Sequence, residues 1–221
     1  DPREVTKVPS GTRGRALLDL VAVMDRLRSP GGCPWDAEQT HASLLPYLIE
    51  ETYEAVEAIE SGDRVHMAEE LGDVLLQIVF HARVAQEDPE APFDIDDVAA
   101  GIAAKLRRRH PHVFADVVAD TPEEVAANWA AIKAAEKAAK GEDAAAGPLG
   151  GIPAGMPPLA RAAHIVARLD QAGRGDLVDA AAEGADPGAR LLALVAEVVR
   201  RRDDPDSVLR ATLRSLADAA G

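Results

Sequence analysis

Glu50-Glu51-Thr52-Tyr53-Glu54 and, fifteen residues further on, Glu70-Leu71-Gly72-Asp73 are the two segments on which the reading of this chain turns. Both have helical spacing. Within each, carboxylates three apart (Glu51 with Glu54, Glu70 with Asp73) project from neighbouring turns of one face. Two such helices packed together bring four carboxylates to one place. In a partly dry cleft that much negative charge is strongly unfavourable unless hard divalent cations sit among the oxygens. The plainer reading is a solvated face, and on the first helix the carboxylates lie opposite an apolar stripe of Leu45, Leu48, Val56 and Ile59. The second helix differs. Leu71, Val74, Leu75, Ile78 and Ala82 form one apolar stripe, yet the side bearing Glu70 and Asp73 also carries Leu76 and Phe80. These two predict a second packed layer over the acidic side. Pattern alone leaves the solvated face and the metal site level.

Outward from these segments, Ser61-Gly62-Asp63 is so short a turn that the two helices must be antiparallel neighbours. The first is expected from about Ser43 to Glu60, with Pro46 tolerated in its first turn, and the second from a cap at Asp63 to about Glu87, before Asp88-Pro89. Upstream, helical spacing begins near Arg15, carries Leu17, Leu18, Val21, Met24 and Leu27 on one face, and ends at Ser29-Pro30-Gly31-Gly32. Residues 33–41, Cys-Pro-Trp-Asp-Ala-Glu-Gln-Thr-His, read as a loop, with Trp35 in the core and Asp36 and His41 as capping or structural groups. Nothing near Cys33 would lower its thiol pKa.

Downstream, Asp94 caps a helix that ends in Lys105-Leu106-Arg107-Arg108-Arg109-His110, the densest basic cluster of the chain. Cations suit a helix C-terminus for dipole reasons alone, and this cluster is also the natural seat for phosphate. Thr121-Pro122-Glu123-Glu124 is a capping box that starts a helix through Asn128, Trp129, Ile132 and Lys133. A Gly- and Pro-bearing stretch and an Ala- and Leu-rich helical tail follow. No sustained period-two alternation occurs, so the expected class is all-α.

Composition agrees with this class. Of 221 residues, 47% are hydrophobic and only 3% aromatic, and Ala is abundant. The net charge of −14 repels nucleic-acid polymers and anionic membranes, while a small nucleotide can still bind through a metal and a few local cations. The single cysteine rules out an internal disulfide and fits a reducing compartment. With no bilayer-length apolar run and no signal peptide, the expected location is cytoplasmic, and the start at Asp1 reads as a trimmed chain.

The ordered set Cys33-Pro34-Trp35-Asp36-x-Glu38-Gln39-Thr40-His41, the two acidic segments, Arg108-Arg109-His110-Pro111-His112-Val113-Phe114 and Asn128-Trp129-x-x-x-Lys133 resembles the MazG family of nucleoside triphosphate pyrophosphohydrolases over about residues 15–140. The resemblance implies an antiparallel all-α bundle assembling as a homodimer, and hydrolysis of nucleoside triphosphates to monophosphate and pyrophosphate with Mg²⁺, for which Mn²⁺ can substitute. It implies Glu51, Glu54, Glu70 and Asp73 as metal ligands, with Glu50 and Glu69 beside them in supporting roles such as orienting water. Lys105 and Arg109 resemble the phosphate-contacting pair, and Asn128, Trp129 and Lys133 the residues near the nucleotide. Water is the expected nucleophile, since no Ser, Cys or His lies in an activated setting. Removal of non-standard nucleotides is the expected role, because an aromatic face stacks on any base.

Two other classes stay open: a helical interaction module without turnover, and a carboxylate-bridged redox protein. The latter usually needs Glu-x-x-His pairs; His66 precedes Glu69 in the reverse order and has no second counterpart. The expected organisation is a flexible N-terminal segment over 1–14, a catalytic helical domain over 15–139, a linker over 140–158 and a helical region over 159–221. That last region reads as a degenerate repeat. Sliding Glu60–Asp63 onto Arg202–Pro205 puts Ile49 on Leu191, Tyr53 on Val195, Val56 on Val198 and Leu71 on Leu213, whereas Glu51, Glu54, Glu70 and Asp73 fall on Ala193, Ala196, Thr212 and Ser215.

Overall fold

Residues 14–139 and 147–220 are described by a computed structural model, and among them there are eleven helices and no strand, which meets the all-α expectation. The expected N-terminal segment, Gly14 apart, and residues 140–146 of the expected linker lie outside the described residues. The chain divides into two units, residues 1–121 and 122–221. The expected boundary at 139 differs from this division, which groups the helix opening at Pro122 with the second unit.

The first unit holds α1 (Arg15–Arg28), α2 (Pro34–Glu38), α3 (His41–Ser61), α4 (Arg64–Ala85), α5 (Ile95–Arg109) and α6 (Pro111–Phe114). Its centre is the α3–α4 hairpin. Gly62 closes α3 at φ 76°, where a side chain would meet the backbone, and the Asp63 carboxylate accepts the Val65 and His66 N–H groups at 2.9 and 3.2 Å to start α4. At the far end His41 Nδ1 lies 2.8 Å from His81 Nδ1 with the rings stacked, which ties the first turn of α3 to α4. Met24 of α1, Leu44 of α3 and Val79 and Phe80 of α4 form the core, with Leu20, Val21, Leu75, Leu76, Val84 and Ile95 packed against it. The second layer expected from Leu76 and Phe80 is therefore present, supplied by α1 and α3.

Several local expectations are corrected. Helix α3 starts at His41, two residues early, because Thr40 caps it: Thr40 Oγ1 accepts the Ser43 N–H at 3.2 Å, and Ser43 Oγ accepts the Thr40 N–H at 2.9 Å. Pro46 consequently sits in the second turn, and Ala42 loses the N–H that would have met its carbonyl. Helix α4 stops at Ala85 rather than Glu87. Residues 33–41 are not all loop, since Pro34, whose fixed φ suits a first helical position, opens the short helix α2. Trp35 on that helix is 49% exposed rather than core, because one turn of helix can cover only its edge. It meets Tyr47 and Phe80 edge-on, at 5.8 and 6.4 Å between centroids.

What holds this segment is Arg28, a residue with no signature in the sequence. Its nearly buried guanidinium donates to the Asp36 and Gln39 carbonyls at 2.6 and 2.9 Å and grips Glu87 through both carboxylate oxygens at 2.9 and 2.8 Å. One cation thus joins α1, α2 and the turn that follows α4, and it holds the Glu87 carboxyl below its ordinary pKa.

The second unit holds α7 (Pro122–Ala139), α8 (Pro158–Gln171), α9 (Gly175–Ala182), α10 (Pro187–Arg200) and α11 (Pro205–Ala220). Val166, Leu169, Val178, Val195 and Ala196 make its core, between α8, α9 and α10. Arg200 ties these three helices, donating to Asp170 at 3.1 and 3.2 Å and to Asp179 at 2.7 Å. Residues 147–157 are mostly turns, and Arg168 of α8 donates to the Pro148 and Gly150 carbonyls at 3.4 Å. The two hairpins compared above differ in packing. Helices α3 and α4 pack along their lengths, whereas α10 meets α11 only slightly and packs mainly on α8 and α9. No helix among the described residues is long and apolar enough to cross a membrane.

Candidate active site

The site begins with which way α3 turns. Leu44, Leu48, Glu51, Ala55 and Ala58 recur at alternating steps of four and three, and they form the face of α3 with the lowest exposure: Leu44, Ala55 and Ala58 are buried, Leu48 and Glu51 half-buried. Ala55 and Ala58 are small enough to let α4 approach closely. Of the apolar stripe expected opposite the carboxylates, Leu48 and Val56 are half-buried and Leu45 and Ile59 half exposed, as are Ile49 and Tyr53. Glu51 is therefore an inward residue, on the face that the small side chains of Ala55 and Ala58 open to α4.

On α4, Glu70 is 8% exposed and Asp73 is half-buried. Glu51, Glu70 and Asp73 each offer a carboxylate oxygen, all within 4.8 Å of one another. Glu70 is approached on one side only: its Oε1 lies 3.0 Å from His66 Nε2, while its Oε2 is buried without a hydrogen-bond partner. A buried anionic oxygen left unmet is costly, so a positive ligand there fits the donor set. The Glu51 carboxyl is pushed above its ordinary pKa by burial first, and then by Asp73, Glu54 and Glu70.

Of the four expected ligands, three meet. Glu54 is exposed and outside the close group, though near enough to raise the Glu51 carboxyl. Glu50 and Glu69 are exposed, and Glu69 lines an open pocket with Asp63, Val65 and His66. Lys105 and Arg109 lie one turn apart near the end of α5, which packs on α4. Asn128, Trp129 and Lys133 lie on α7 in the second unit, where Lys133 Nζ sits 4.5 Å above the Trp129 ring. His66, which grips Glu70, was weighed in the sequence only as a partner of Glu69. The signal was its position four residues before Glu70.

The raised Glu51 pKa has a direct consequence. A carboxyl raised on folding contributes stability that is full below its unfolded value near 4.5 and is lost as pH rises through the folded value. At neutral pH the metal-free cluster accordingly weakens the fold. Mg²⁺ should raise the melting temperature at pH 7.5 and have little effect near pH 4, as followed by thermal denaturation. A shift of equal size at both pH values would rule out the carboxylates as its source.

Comparison with known proteins bears on the same residues. The family model described as the MazG nucleotide pyrophosphohydrolase domain matches residues 39–114, which span both acidic helices and α5. A Streptomyces cacaoi relative, described as an uncharacterized 26.1 kDa protein in the blaB 3' region, is 47% identical over 93% of this chain and 81% of its own length. The nucleoside triphosphate pyrophosphohydrolase of Escherichia coli K12 is 48% identical over 70% of this chain and 57% of its own. The Mycolicibacterium smegmatis protein of the same name is 47% identical over 75% of this chain and 49% of its own. The chain thus spans about half the length of these two named relatives. A solved Thermotoga maritima structure, titled as a mazG-related protein, aligns with 54% of this chain and 98% of its own at 28% identity and a TM-score of 0.44.

Proposed function

The chain belongs to the MazG nucleotide pyrophosphohydrolase family, and on that premise we propose that it hydrolyses nucleoside triphosphates to the monophosphate and pyrophosphate, with Mg²⁺, on cytoplasmic nucleotide pools. The observation that carries this reading is the buried, unpartnered Glu70 Oε2 beside Glu51 and Asp73. These three residues would hold the ion, with Glu54 alongside Glu51. Bound there, a divalent cation supplies Lewis-acid charge to the phosphate oxygens.

The chain's own side chains would do the rest. Glu50 and Glu69, exposed next to the ligands, can accept hydrogen bonds from an attacking water and orient it. Lys105 and Arg109 offset the charge that grows on the departing pyrophosphate. Trp129, with Asn128 and Lys133 near it, offers an aromatic face that stacks on bases without regard to identity, which suits removal of non-standard nucleotides. The half-exposed Leu45, Ile49 and Tyr53 of α3 and Leu71 and Ile78 of α4 support homodimer assembly through this hairpin.

The test is release of pyrophosphate from a panel of standard and damaged nucleoside triphosphates, with and without Mg²⁺. Absence of metal-dependent release from every member would refute the enzyme reading in favour of an interaction module. Within the same assay, Lys105→Ala and Arg109→Ala are each expected to lower kcat/KM by about 10²-fold, to a similar extent for every base, because cations aimed at phosphate do not read the base. A loss confined to one base would remove them from the phosphate seat.

A further inference from the structure

We propose that His66 is a positioning residue that restricts Glu70 to ligation through one oxygen, and so sets the preference of the site for Mg²⁺ over Ca²⁺. This rests on Glu51, Glu70 and Asp73 being the metal site. The two oxygens of Glu70 are not equivalent. His66 lies one turn before Glu70 on α4, and its Nε2 sits 3.0 Å from Oε1, while Oε2 is buried with no partner. The Asp63 cap takes the His66 backbone N–H at 3.2 Å and fixes the first turn of α4, from which the imidazole projects.

A carboxylate that donates both oxygens to one ion has a narrow bite. Mg²⁺ demands a near-ideal octahedron and takes such groups through one oxygen, whereas Ca²⁺ has room for more ligands and readily accepts both. With the imidazole set against Oε1, Oε2 is the unobstructed oxygen, and ligation through one oxygen is the mode that suits the smaller ion. Groups that contact a ligand from behind orient it and tune affinity. His66 makes no contribution to the core that would confound its replacement: its side chain is 44% exposed and borders the open pocket it shares with Asp63, Val65 and Glu69.

The experiment is calorimetric titration of the metal-stripped protein with MgCl₂ and, separately, CaCl₂. His66→Ala should weaken Mg²⁺ binding about 10-fold and leave Ca²⁺ binding unchanged or tighter, so that the Ca²⁺/Mg²⁺ affinity ratio rises about 10-fold. His66→Gln, whose amide can still donate to a carboxylate four residues on, should restore the wild-type ratio. His66→Leu removes the donor while keeping bulk, and serves in place of the Ala variant if that fails to fold. An unchanged ratio, or an equal loss for both ions, overturns the proposal. Glu70→Gln separates the two levels: if it binds both ions as the parent does, the carboxylates are not the metal site and both readings fall, whereas loss of Mg²⁺ there with a wild-type ratio in His66→Ala sinks only the positioning role.

Discussion

Asp73→Asn is expected to lower Mg²⁺-dependent pyrophosphate release by roughly 10³-fold, with helicity and oligomeric state unchanged. A metal site supplies several kcal/mol to a reaction at phosphorus, and each 1.4 kcal/mol is about tenfold in rate. Asp73 offers one of three oxygens that lie within 4.8 Å of one another, and the amide that replaces it has the same shape without the charge. The fold should tolerate the change, since Asp73 is half-buried, sits mid-helix and caps nothing. Removing one negative charge from a crowded cluster relieves repulsion, so the metal-free variant should melt no lower than the parent. Near-normal turnover in Asp73→Asn would remove it from the ligand set. Loss of turnover together with loss of helicity, read by circular dichroism, would show a structural role instead.

Phe80→Ala is expected to destabilise the first unit by about 3–5 kcal/mol, enough to remove much of the stability of an ordinary domain. Phe80 is 3% exposed and packs with Met24, Leu44 and Val79, so its removal leaves a void bounded by α1, α3 and α4. The same ring is an edge partner of Trp35 at 6.4 Å. The variant should therefore unfold at lower denaturant and also change the Trp35 environment before unfolding, seen as a shift in native tryptophan emission. Trp35→Phe in the same background identifies which tryptophan reports. A midpoint within experimental error of the parent would mean that the layer over the acidic side contributes little to folding.

The acidic helices, their hairpin turn and their antiparallel relation are local matters, and residues within a few positions of each other carry them: Gly62 and Asp63 for the turn, the three-residue carboxylate spacing for the shared face. The second layer was legible too, because Leu76 and Phe80 make no sense on a solvated side. The basic end of α5 follows from composition and capping in the same way. These features depend on interactions closer than one or two helical turns, and sequence order displays them directly.

Facing was decided by packing. On α3 two apolar stripes compete, and the larger side chains of Leu45, Ile49, Tyr53 and Ile59 lost to the slimmer face of Leu44, Ala55 and Ala58, because close approach of α4 needs small residues more than it needs bulk. That choice turned Glu51 inward and left Glu54 exposed. The grip of Arg28 on Asp36, Gln39 and Glu87, the exposure of Trp35, and the unequal oxygens of Glu70 likewise required the third dimension. Each depends on groups brought together by the path of the chain, and a hydrogen bond from residue 28 to residue 87 has no periodicity by which a sequence could announce it.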